Sequence, residues 1–150
     1  MRLSKKTEYA LRALIFAARF PVGTTFQTRE LAEKNGIPKK FLELILLELK
    51  NAGILSSRRG VGGGYFLARQ PETVRTVEIL EVFEEPILAV EPKKGSGKTV
   101  PEEATPALTR LFAEASGAAA AVLSRWTLQD LVREEDEAME KRRGNTMYFI

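Results

Sequence analysis

The residues with the clearest capacity for chemistry are arginines beside a run of glycines, in the stretch RRGVGGGYFLAR at 58–69. Glycine permits positive φ and a close approach of backbone to a ligand, and arginine is attracted to the negative potential of a narrow DNA minor groove. A phosphate-cradling loop would need a helix directly after the glycines, whereas GYFLA alternates like a strand. We therefore predict the tip of a β-hairpin. Its candidate DNA-contacting residues are Arg58, Arg59, Gly60, Gly62 and Gly63.

Four lysines nearer the N-terminus are candidate phosphate contacts: Lys5, Lys6, Lys39 and Lys40. Residues 1–70 hold 13 Lys and Arg against 5 Asp and Glu, a net charge of +8, and residues 71–150 carry −5. This split indicates a basic half that meets a polyanion and an acidic half with a different task. The alternative is ordinary solvated surface charge.

Cysteine and histidine are both absent from the 150 residues. Their absence excludes disulfides, thiolate chemistry, cysteine-bound zinc or iron–sulfur clusters, and Ser-His or Cys-His catalysis. Carboxylate chemistry with a hard metal stays open, but no catalytic or metal-binding residue is predicted, and no cofactor. No apolar run is long enough to span a bilayer, and the N-terminal stretch lacks the features of a signal peptide. We expect a cytoplasmic protein.

The sequence GSGKT at 95–99 resembles the end of a nucleotide-binding loop. That motif requires another glycine five residues before Gly97 and a helix after the threonine. Pro92 occupies the glycine position, and Pro101 would disrupt the helix. Nucleotide binding is therefore the weakest of the alternatives.

The elements that position the basic residues are predicted by periodicity. Ser4 is a candidate N-cap for a first helix, which Pro21 and Gly23 end. The stretch FQTRELAEKNG predicts a short second helix, with Gln27 three residues before Glu30. Pro38 begins a third, PKKFLELILLELKNAG, whose apolar face comprises Phe41, Leu42, Ile45, Leu46, Leu49 and Ala52. Two helices joined by about three residues predict a helix-turn-helix.

After the hairpin, Thr76 is a candidate cap for the helix VEILEVFEE, and residues 86–105 predict a long exposed loop. A long alanine-rich helix is expected after Pro106, and Thr127 with Asp130 forms a capping pattern for a last helix from Leu128 to about Arg143. The fold class is mainly α with a small β-hairpin wing: a winged helix-turn-helix plus a long dimerisation helix.

Three stretches make the chain similar to the Rrf-two family of bacterial winged-helix regulators: MRLSKKTEYALRAL, LAEKNGIPKKFLELILLELKNAGIL and RRGVGGGYFLAR. The resemblance is strong over residues 1–85 and weaker beyond. It implies a DNA-binding domain at 1–70, a linking helix and loop at 71–105, and dimerisation and C-terminal helices at 106–150. It also implies a sequence-specific regulator, more often a repressor, that binds a pseudo-palindromic operator in double-stranded DNA as a homodimer.

The resemblance further assigns roles to residues. Pro38, Lys39, Lys40 and Glu43 match the start of the recognition helix, and Arg59 matches the wing arginine that enters the minor groove. Glu43 could accept a hydrogen bond from a cytosine amino group, or it could pair with Lys39 or Lys40.

Many relatives bind an iron–sulfur cluster through three cysteines after the fourth helix, and this chain has none there. Glu8 stands where some relatives use a glutamate, and we interpret it as a helix-surface residue. Any effector would be an unidentified small molecule or protein. The alternative function is a protein-interaction module that keeps the fold but binds DNA weakly.

Two hydrophobic pairs complete the predictions. Of Tyr65 and Phe66, at least one should point into the core. Leu44 and Leu47 lie outside the predicted apolar face of the third helix, and three roles are open for them: packing beneath the wing, which is favoured, contact with thymine methyls, or contact with a partner subunit.

Overall fold

The computed structural model describes residues 3–84 and 105–147. The predicted exposed loop, apart from Thr105, the GSGKT motif and the final residues 148–150 lie outside these ranges. Six α-helices, one 3₁₀ turn at Pro71–Thr73 and a two-stranded antiparallel sheet make up the described chain. In order, the elements are α1 (Lys5–Ala17), α2 (Thr28–Asn35), α3 (Lys39–Asn51), β1 (Leu55–Arg58), β2 (Gly64–Leu67), α4 (Thr76–Phe83), α5 (Pro106–Arg125) and α6 (Leu128–Met147).

The first helix begins where the sequence predicts it. The Ser4 hydroxyl accepts a hydrogen bond from the Thr7 N–H at 3.1 Å, which satisfies one of the free donors at the N-terminus of α1. Residues spaced three and four apart on α1 are buried: Thr7, Ala10, Ala13, Leu14 and Ala17. This stripe faces the same hydrophobic core as α3.

The helix-turn-helix is confirmed. Gly36 ends α2 in the left-handed conformation with φ 62°, and the Ile37 N–H donates to the Ala32 carbonyl at 3.0 Å. The chain turns through Pro38 into α3. Most of the predicted apolar face of α3 is in the core, with Leu42, Ile45, Leu46 and Leu49 fully buried. Ala52, at the end of the helix, is exposed instead.

The predicted hairpin is also confirmed. β1 and β2 pair in antiparallel register from Leu55 opposite Leu67 to Arg58 opposite Gly64. Tyr65 packs against the core as a partly buried side chain, as the sequence predicts for at least one of the two aromatic residues on β2. The residues between the strands, with Arg58 and Gly64 at their ends, form the wing (58–64).

Two predicted helix starts differ from the structure. Thr76 is the first helical residue of α4 rather than its cap, and its hydroxyl donates to the Trp126 carbonyl at 3.0 Å. Gln27 occupies the N-cap of α2, but its side chain makes no capping bond. Each side chain instead donates a hydrogen bond to a carbonyl distant in sequence, that of Gly63 for Gln27 and that of Trp126 for Thr76. Local sequence patterns do not reveal such partners.

The last helix packs back onto α1 and the 3₁₀ turn at Pro71–Thr73. Thr127 and Asp130 form the predicted cap, with the Asp130 N–H donating to the Thr127 hydroxyl at 3.1 Å. Leu128 is fully buried in the common core, and its N–H donates to the Val74 carbonyl at 2.9 Å. The helix continues to Met147, one turn beyond the predicted end. None of the helices in the described ranges has the length and apolar character needed to cross a membrane.

Candidate nucleic-acid interface

The tip of the wing is a tight glycine turn. Gly60 and Gly62 have φ values of 93° and 72°, which side-chain-bearing residues rarely adopt. The Gly63 N–H closes the turn on the Gly60 carbonyl at 3.0 Å. A Cβ on Gly63 would lie 2.4 Å from the Arg58 carbonyl oxygen. Three of the predicted glycines are therefore required by the geometry of the turn itself.

The two wing arginines both lie on the surface. The Arg58 guanidinium lies over the Phe66 ring, 5.5 Å from its centroid, which restricts its direction. Arg59 is exposed at the end of β1, and no ion pair of its side chain occurs within residues 3–84 and 105–147. A cation with no counter-ion among the described residues is available to an external anion.

The wing is held at its base by the three residues that lead into α2. Phe26 and Tyr65 exchange backbone hydrogen bonds of 2.8 and 3.0 Å. The Thr25 hydroxyl donates to the Gly62 carbonyl at 2.8 Å, and the Gln27 amide donates to the Gly63 carbonyl. The segment 25–27 continues directly into α2, so the wing and the helix-turn-helix are linked by hydrogen bonds. Sequence analysis missed this anchor because its partners are more than 35 residues apart.

The start of α3 carries the other predicted contacts. Pro38, Lys39, Lys40 and Glu43 are all exposed. The Lys39 Nζ lies 3.8 Å from a Glu43 carboxylate oxygen, one helical turn away. This long, exposed pair is weak, so Glu43 stays available to another donor.

Lys5 and Lys6 differ from the lysines of α3 because each has a close carboxylate partner. Lys5 pairs with Glu8 at 2.7 Å, and this hydrogen bond raises the pKa of Lys5 and lowers the pKa of Glu8. Lys6 pairs with Glu48 of α3 at 2.6 Å. Lys6 therefore joins α1 to α3 in this structure. The phosphate contacts assigned to both lysines stay predictions.

A group of hydrogen bonds joins the N-terminus of α1 to Glu84, the residue that follows α4. The Glu84 carboxylate accepts a hydrogen bond from the Thr7 hydroxyl and another from the Ser4 N–H at 3.0 Å. The bond from Thr7, and then the bond from Ser4, hold the pKa of Glu84 below its usual value. The end of α4 is thus fixed to the N-terminus of α1.

The favoured interpretation of Leu44 and Leu47 is wrong. Both side chains are exposed, to 56% and 47%, and neither packs beneath the wing. Of the three roles considered for these leucines, contact with thymine methyls of DNA and contact with a partner subunit stay open.

The residues present do not fit an iron–sulfur cluster. The chain contains no cysteine and no histidine, and the described part of it holds no group of three carboxylates that could bind a metal. Glu8 is occupied by Arg12 as well as Lys5, with both pairs at 2.7 Å. Its predicted role as a helix-surface residue agrees with this pairing.

A winged helix-turn-helix with an exposed cationic wing is the structure of a DNA-binding regulator. Comparison with known proteins then gives the family. Residues 3–134 match the Rrf2 family model, described as an iron-dependent transcriptional regulator, and the chain belongs to this family. This is the family that the sequence motifs indicate.

Individual relatives agree with the assignment. The chain is 31% identical to the HTH-type transcriptional regulator CymR of Bacillus subtilis over 140 residues, 93% of this chain and 96% of that one. The solved structure of CymR, titled the global cysteine regulator of B. subtilis, superposes with a TM-score of 0.73 at 30% identity and covers 89% of this chain and 98% of that one. The structure of T. potens IscR gives a TM-score of 0.68 at 25% identity, covering 92% and 90%.

The protein is therefore a DNA-binding transcriptional regulator of the Rrf2 family, and its relatives are regulators rather than enzymes. It departs from the family description in one respect, since the cysteines that would bind an iron–sulfur cluster are absent from its sequence.

Proposed function

We propose that the protein is a cytoplasmic, homodimeric repressor that binds a pseudo-palindromic operator without an iron–sulfur cluster. The observation that carries the proposal is the wing, which presents Arg59 to solvent from a base hydrogen-bonded to the helix-turn-helix. In winged regulators of this type one helix enters the major groove and the wing can reach the neighbouring minor groove. Repression is proposed because the family resemblance implies a repressor more often than an activator.

The proposed contacts divide by groove. Arg59 enters the minor groove, and the backbone of Gly60, Gly62 and Gly63 passes close to the phosphates. At the start of α3, Lys39 and Lys40 contact phosphates, and Glu43 accepts a hydrogen bond from a cytosine amino group. Lys5, Lys6, Pro38 and Arg58 complete the predicted set.

The homodimer is supported by the surface of α5. Only Ser116 of its 20 residues is buried, while large apolar side chains are exposed along it. A contiguous apolar face on a long helix is typical of an interface, and a two-fold dimer would give the two half-sites of a palindrome. The exposed apolar residues of this face are Leu108, Leu111, Phe112 and Val122, and the exposed Trp126 follows directly after the helix.

The division of the chain at residues 70 and 105 is also part of the proposal, with DNA binding assigned to 1–70 and assembly to 106–150. Since the chain lacks the ligands for a cluster, any effector is a small molecule or a protein partner. Signals of that kind would act on the dimer rather than on a metal.

Selection of bound duplexes from a random pool tests the proposal. We expect two inverted half-sites, and Arg59→Ala should weaken binding to the selected site by about 1–3 kcal/mol, the value of one good base or groove contact. Arg133→Ala is a matched control, because Arg133 is an exposed arginine of α6 paired with Asp130 at 2.9 Å. No enriched sequence, with duplex affinity insensitive to salt, would instead favour a protein-interaction module.

A further inference from the structure

The outward face of α3 carries two large apolar side chains that no residue in the described ranges covers. Leu44 is 56% exposed and Leu47 is 47% exposed, whereas Leu42, Ile45, Leu46 and Leu49 of the same helix are completely buried. The core face of α3 is thus already filled. Leu44 and Leu47 cannot be explained as unfinished packing of the monomer.

These leucines share their face with the charged residues at the start of the helix. Leu44 lies four residues after Lys40, and Leu47 lies four residues after Glu43, so that each pair is adjacent on the helix surface. The exposed surface therefore places apolar groups directly beside a cation and a carboxylate. It lies in the half of the chain that carries a net charge of +8.

A surface of this composition fits one occupant better than the others. A second copy of the chain would bring the same positive charge against it, and an exposed apolar face for self-association is already present on α5. The DNA major groove is polyanionic at its rims, and the only large apolar group on its floor is the 5-methyl of thymine. Both requirements of the surface, for negative charge and for apolar contact, are met there.

We infer that Leu44 and Leu47 select operator half-sites by contacting thymine methyl groups in the major groove. The inference rests on the proposed function and adds to it a base that the half-site must contain. Specificity is then divided along α3: Glu43 reads a hydrogen-bond donor, and the two leucines read methyl groups, which make no hydrogen bonds.

Replacement of thymine by uracil tests the inference, because it removes the methyl group and leaves the base pair unchanged. Each thymidine of the selected duplex is replaced in turn by deoxyuridine, and affinity is measured by fluorescence anisotropy. At the contacted positions we expect binding about fourfold weaker, the value of burying one methyl-sized group. Other positions should show no change.

Variants of the leucines assign the contact to the protein. In Leu44→Ala and Leu47→Ala, the loss caused by deoxyuridine at the matching position should shrink towards onefold, since the two changes remove the same interaction. Both side chains are exposed, so thermal unfolding should be nearly unchanged. Met139→Ala, at a 42% exposed residue of α6, is the control and should retain the full deoxyuridine effect.

Each outcome separates the inference from the proposed function. If the protein binds its selected site but tolerates deoxyuridine at every position, the inference is wrong and the regulator assignment stands. If no site is selected at all, the proposed function is wrong, and the inference that rests on it is wrong with it. If Leu44→Ala or Leu47→Ala lowers the sedimenting mass and leaves the deoxyuridine effect intact, the leucines belong to a contact between copies, and the inference is overturned.

Discussion

The basic half of the chain, with α1 and α3, differs from α5 in how much of its apolar surface is buried. In α1 and α3 most apolar residues are buried in the common core, with Leu44 and Leu47 as the exceptions, and the opposite faces of these helices carry most of the charge. In α5 the apolar residues Leu111 and Phe112 are each 59% exposed. The basic half thus packs its apolar residues into a core that Leu128 of α6 completes, whereas α5 leaves large apolar side chains uncovered by the described residues. The fold and the proposed dimer would therefore depend on different residues.

The largest effect should come from disrupting the surface of α5. We expect the double variant Leu111→Asp, Phe112→Asp to sediment as a monomer and to lose about 100-fold in operator affinity, because the two half-sites are no longer bound by linked modules. Its thermal unfolding should still be cooperative, since neither residue belongs to the hydrophobic core. If this variant stayed dimeric, the apolar surface of α5 would not be the dimer interface, and the contrast drawn between the two regions would be wrong.

The next effect tests the wing. Gly63→Ala places a Cβ 2.4 Å from the Arg58 carbonyl oxygen, so the turn must shift and Arg59 with it. We expect operator affinity to fall about tenfold, the value of one lost groove contact, and stability to fall by about 1–3 kcal/mol from the forced shift. Gly144→Ala is the control, because its Cβ would meet nothing within 4 Å. In a helix this change should stabilise by up to about 1 kcal/mol.

A smaller effect distinguishes two lysines of the basic half. Lys40 is exposed on α3, whereas Lys6 is paired with Glu48. Lys40→Ala should reduce the slope of log affinity against log salt by about 0.9, the contribution of one neutralised phosphate. Lys6→Ala should change that slope less and should weaken the contact between α1 and α3. Equal slopes for the two variants would show that Lys6 also releases its carboxylate to reach a phosphate.

The smallest effect is a dependence of stability on pH. The pKa of Glu84 is lowered from 4.5 in the folded protein, so the bonds from Thr7 and Ser4 contribute stability above that pH. This contribution is lost as the pH falls through the lower folded value. In urea unfolding between pH 3 and pH 7, Glu84→Gln should flatten the loss at the acidic end. Glu81→Gln, at an exposed residue of α4 three positions before Glu84, should not.

Local features of the sequence predicted the helices and the hairpin well. Ser4, Gly36 and the Thr127–Asp130 pair act through bonds to residues at most four positions away, and such short-range signals are legible in sequence. The glycine run predicted the wing because the chain reverses there.

The contacts that orient the site could not be predicted. Gln27 binds Gly63, Lys6 binds Glu48, and Thr76 binds the Trp126 carbonyl, and each contact joins segments that only the folded core brings together. The favoured prediction for Leu44 and Leu47, packing beneath the wing, failed for a different reason. Their apolar character suggested burial, but the helix already had a full apolar face, and hydrophobicity alone does not say what a side chain contacts.

The burial of Leu128 limits how the protein can be divided. Its side chain fills the core formed by the first 84 residues, and its backbone bonds to Val74. A truncated version ending at residue 84 would keep every predicted DNA contact and yet expose a hydrophobic gap, so it would be prone to aggregation. A shortened protein made for crystallisation should therefore retain α6, or carry a hydrophobic substitute for Leu128 in the gap.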